Sequence, residues 1–77
     1  MRIAKGIRLF FDSGSVAVSW HQTGMVYQEM GQPEAAEDAY RKALAIFVRL
    51  GDVAWQAGTL NQLGNLYKGV LGRLEEA

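Results

Sequence analysis

His21 is the single histidine of the chain, and so the first residue to test for acid–base or metal chemistry. A general base needs a partner held within hydrogen-bond reach, and a metal centre needs several ligand side chains. Neither is spaced around His21, and a lone histidine on a helix is more often a surface or packing residue. Cysteine is absent, which removes disulfides, thiolate zinc sites and thiol nucleophiles. Ser13-Gly14-Ser15 offers hydroxyls without an acid–base neighbour, and helix capping accounts for them better. Glu34, Glu37 and Asp38 follow a proline at a helix start, where they complement the helix dipole rather than build a calcium site. Gly64, Gly69 and Gly72 do not complete the Gly-x4-Gly-Lys-Ser/Thr pattern of a phosphate loop. No catalytic residue, metal or cofactor is expected, and the chain reads as a non-enzyme.

Recognition chemistry is better supplied. His21, Met25 and Gln28 share one helical stripe, roughly 80–140° round from Trp20 at about 100° per residue. Forty residues later the same positions hold Asn61, Asn65 and Lys68. An asparagine amide both donates and accepts, so Asn61 and Asn65 suit the backbone of an extended peptide. Met25 offers a soft apolar contact, and Lys68 suits an acidic group. The plainer alternative is a solvated helix face with no ligand.

These positions repeat because the chain does. Trp20-x-x-Thr23-Gly24-x-x-Tyr27 returns as Leu60-x-x-Leu63-Gly64-x-x-Tyr67, an offset of 64 − 24 = 40. Self-similarity at such a period marks an array whose units pack on their neighbours. Apolar spacing predicts a first helix over about 15–30, capped by Ser13 or Ser15. Gly31-Gln32-Pro33 reads as stop and restart. A second helix over 33–50 carries the ladder Ala36, Ala39, Tyr40, Ala43, Leu44, Phe47 and Leu50. Gly51-Asp52 repeats the stop and cap, and a third helix follows over about 53–70. Gly72 onward resembles the Gly31 turn, so a fourth helix is expected to begin there. Residues 1–12 fit the tail of an earlier second helix, since Ile7–Asp12 lies forty residues before Phe47–Asp52.

The stripe Trp20, Gly24 and Tyr27, with Ala36, Tyr40 and Ala43, then Leu60, Leu63, Gly64 and Tyr67, is expected to form the structural core. Glycine permits close approach there, and each buried aromatic contributes roughly 1.5–3 kcal/mol. Trp55 has no aromatic counterpart at Ser15, and suits an exposed end or a contact with another chain.

The whole chain of 77 residues is one small segment, 1–77, with 15–50 a full helical hairpin and 53–77 the start of the next. Eight basic residues balance eight acidic ones, which argues against nucleic-acid binding. No apolar run reaches the ~18 residues a membrane span requires, and the basic, apolar start lacks a signal-peptide cleavage site. Location in the cytoplasm is expected.

The residues Trp20, Gly24, Tyr27, then Ala36, Tyr40 and Ala43, with Leu60, Leu63, Gly64 and Tyr67, resemble the tetratricopeptide repeat signature. The resemblance covers about 15–77. Thr23 replaces the usual leucine, and Val48 stands where a repeat-ending proline is common. The forty-residue period exceeds the usual ~34 and resembles the longer repeats of kinesin light chains and bacterial signalling proteins. It implies an all-α solenoid fragment of three main helices plus partial terminal ones. It also implies a concave groove lined by first helices, where His21, Met25, Gln28, Asn61, Asn65 and Lys68 would meet a peptide or partner protein. Two further expectations stand beside that one. A solenoid needs about three stacked units, so the uncovered apolar faces (Leu9, Phe10, Phe11, Leu71, Leu74) predict a homo-oligomer, with or without exchanged helices. The segment also fits a regulatory part of a larger signalling protein.

Overall fold

The computed structural model describes residues 12–76. It contains three helices, α1 (Ser13–Glu29), α2 (Pro33–Leu50) and α3 (Val53–Glu76), and among the described residues no strand. The expected tail of an earlier helix, with Leu9, Phe10 and Phe11, lies outside the described residues.

Local chemistry sets the helix ends. Asp12 caps α1, its carboxylate accepting from Ser15 N at 2.7 Å. The serines expected in that role sit inside the first turn instead, because the carboxylate one residue upstream has the extended backbone a cap requires. Asp52 caps α3 likewise, accepting from Trp55 N at 3.2 Å. Gly31 and Gly51 take left-handed backbone angles, φ 74° and 70°, which a side chain would disfavour. Each closes the preceding helix with a paired set of bonds, Gln32 N to Tyr27 O and Asp52 N to Phe47 O among them.

α3 departs from expectation at its far end. It runs unbroken through Gly69 and Gly72 to Glu76, where a stop near Val70 and a new start were expected. Neither glycine adopts a positive φ, and no proline follows to prevent continuation. Glycine alone only weakens a helix.

α2 is the central element, packed antiparallel between α1 and α3. One cluster joins Ala36 and Tyr40 to Leu63 and Leu66, with Tyr27 and Leu44 against it. A second joins Ala17, Ala43 and Phe47, flanked by Val18, Trp20 and Ile46. Gly24 makes the first contact possible, since a Cβ built on it would lie 2.6 Å from the Tyr40 ring.

Gly24, Ala36, Tyr40, Ala43 and Leu63 are buried, while Trp20 and Tyr27 are half-buried. Lys42 Nζ lies 4.5 Å over the Trp20 ring. Three positions expected in the core are exposed: Leu60, Gly64 and Tyr67. The reason is which edge α3 uses. It buries Thr59, Leu63 and Leu66, while no helix among the described residues covers the edge bearing Leu60, Gly64 and Tyr67.

Candidate partner-binding face of the first and third helices

α1 and α3 run side by side over α2 and touch along a narrow seam. At its centre His21 Nδ1 and Thr59 Oγ1 share a hydrogen bond of 2.9 Å. His21 is only 7% exposed. Its ring is edge-on to Tyr40 and to Trp55, with centroids 5.6 and 5.2 Å away. Trp55 in turn stacks on Phe47 at an interplanar angle of 12°. The indole thus covers the end of the α2–α3 contact from within its own chain. Desolvation holds the His21 pKa below its ordinary value, favouring the neutral ring.

This placement corrects the reading of His21 as a groove residue. It faces α3 rather than solvent, because α3 packs against that side of α1 and Thr59 satisfies its polar atom. The other five expected contacts lie elsewhere. Met25, Asn61, Asn65 and Lys68 are exposed, and Gln28 is half-buried. Gln28 Oε1 accepts from Tyr40 OH at 2.7 Å, which anchors it to α2. Gln28 and Asn65 line one cleft between the ends of α1 and α3, together with Gly31, Gly69 and Arg73. Met25, Asn61 and Lys68 are not part of that cleft.

Sequence reasoning missed Thr59 and Arg73. Thr59 is fully buried and pairs with the only histidine, but in sequence it is one polar residue beside Leu60. Arg73 falls where a new helix was expected, so the continuation of α3 is what brings it to the cleft. On the opposite side of α3, Tyr67 OH donates to Glu37 and accepts from Arg41 Nη2. The Tyr67 bond, more than the neighbouring Arg41 charge, holds the Glu37 carboxyl below its usual range.

Helical hairpin, capped turns, a glycine seated on an aromatic ring and a third helix laid beside the first are now all established. The sequence matches the family model described as tetratricopeptide repeat over residues 15–77. The chain belongs to the tetratricopeptide repeat family. Repeats of this family mediate protein–protein interaction and are typically not catalytic. No curated protein and no solved structure matches the chain significantly. No helix among the described residues of this tetratricopeptide repeat segment is long and apolar enough to cross a membrane.

Proposed function

We propose that this tetratricopeptide repeat segment binds a peptide or partner protein across the solvent-facing sides of α1 and α3. The observation carrying this reading is the polar cleft where Gln28 from α1 meets Asn65 and Arg73 from α3. Two helices from successive repeats thereby contribute to one surface. Asn65 and Asn61 lie one turn apart on α3, spaced to donate to and accept from an extended backbone. Met25 supplies an apolar contact and Lys68 a cation for an acidic side chain. His21 has no direct contact in this arrangement. It fixes the spacing of the two helices through Thr59. The segment is read as a cytoplasmic scaffold part, in keeping with a cysteine-free chain.

A phage-displayed random peptide library, selected on the chain and counter-selected on Asn61→Ala/Asn65→Ala, tests the reading. Peptides that bind the native chain and lose at least about tenfold on the double variant, a loss of about 1.4 kcal/mol, support it. Selected peptides with equal affinity for both proteins would remove these asparagines from the site.

A further inference from the structure

The uncovered edge of α3 has a pattern of its own. Val53, Ala57, Leu60, Gly64, Tyr67, Leu71 and Leu74 follow one another at alternating steps of four and three residues. That spacing is a heptad seam, the narrow apolar stripe by which one helix pairs with another. The seam divides into two columns. Val53, Leu60, Tyr67 and Leu74 are all large, whereas Ala57 and Gly64 precede Leu71 in the other. Val53, Leu60, Tyr67, Leu71 and Leu74 stay 73, 53, 41, 59 and 68% exposed. A Cβ built on Gly64 meets nothing within 4 Å.

We propose that this edge pairs with the same edge of a second copy of the chain, as an antiparallel α3–α3 coiled coil. Setting Tyr67 of one copy against Gly64 of the other fixes every remaining layer. The paired positions then sum to 67 + 64 = 131, so Leu74 meets Ala57 and Leu60 meets Leu71, each twice by symmetry. Large side chains fall opposite small ones, with one leucine pair in each half. The same device already operates inside the chain, where the Tyr40 ring of α2 seats on Gly24 of α1. Gly64 is the unfilled counterpart of Gly24, forty residues on.

Area agrees with a second copy as occupant. Burial removes roughly 60–120 Å² per large apolar side chain. Five such residues offer about 500 Å² per copy, and the pair about 1,000 Å². That is the low end of specific interfaces, so a reversible dimer of micromolar affinity is expected. The edge lies roughly 100° round α3 from Asn61 and Asn65, so pairing leaves the peptide-binding face open and does not depend on it.

Sedimentation of the full chain from about 5 to about 500 µM reads the association across micromolar affinities. The native chain is expected to dimerise. Gly64→Leu should remain fully helical, since the monomer has room there, yet associate at least tenfold more weakly. Because the chain has no cysteine, Gly64→Cys with a short bis-maleimide gives a second readout. It should cross-link efficiently, and Gly69→Cys on the far side of α3 should not. A monomer at all concentrations, undiminished pairing by Gly64→Leu, or equal cross-linking at both positions would overturn the proposal. So would a monomer that instead binds a synthetic peptide of residues 33–50, which would give the edge to a helix of the α2 kind.

Discussion

Gly24 and Tyr40 interlock across the α1–α2 hairpin: the missing Cβ of one is the space occupied by the ring of the other, at 2.6 Å. The ring has nowhere to retreat. It is fully buried, and its hydroxyl is tied to Gln28 at 2.7 Å.

Gly24→Ala and Gly64→Ala should therefore change stability in opposite directions. Alanine gains up to about 1 kcal/mol of helix propensity at either position. At Gly24 the clash outweighs it, with overpacking costs of about 1–3 kcal/mol, so a net loss is expected. At Gly64, measured at low micromolar concentration, a gain of about 0.5–1 kcal/mol is expected. Urea unfolding followed by circular dichroism checks both. Two variants shifted in the same direction would refute the close approach at Gly24.

Stability should fall as the solution is acidified through the histidine range. The folded chain holds His21 below its ordinary 6.5 by desolvation, so the unfolded chain takes up a proton first. Above 6.5 both states are neutral at this site and its contribution is complete. Below 6.5 the unfolded state gains protons that the folded state refuses, and the contribution declines. The urea midpoint should drop between pH 7.5 and 5.5, and His21→Gln should flatten that drop. An equal slope in native and variant chains would place the responsible group elsewhere.

The start of α1 gives a test of capping. Asp12→Ala removes the acceptor for Ser15 N and should cost about 1 kcal/mol. Ser13→Ala and Ser15→Ala keep that acceptor and should change stability by only a few tenths. The reverse ordering in thermal melts would return the cap to a serine.

Much of the hairpin is legible in the residues themselves. Gly31-Gln32-Pro33 and Gly51-Asp52 carry turn chemistry that works locally, and α2 begins and ends as its ladder predicts. What eludes the sequence depends on where another helix lies. His21 and Asn61 are forty residues apart and occupy equivalent turns, yet one is buried and the other exposed. Their difference arises because α3 lies beside α1, while no described helix lies beyond α3. Leu60, Gly64 and Tyr67 show the same effect in reverse: a core pattern is exposed when its covering element is not among the described residues. Gly72 misled for another reason, since it resembles Gly31 in sequence but lacks the proline that makes Gly31 a true stop.

The connections bear on kinetics. Only Met30, Gly31 and Gln32 separate α1 from α2, and only Gly51 and Asp52 separate α2 from α3. Each antiparallel pair can zip from its own turn without first closing a long stretch of mobile chain. Such low contact order belongs to folding in microseconds to milliseconds. The middle helix, shared by both seams, is where that ordering would take hold, and it would spread outward to either side.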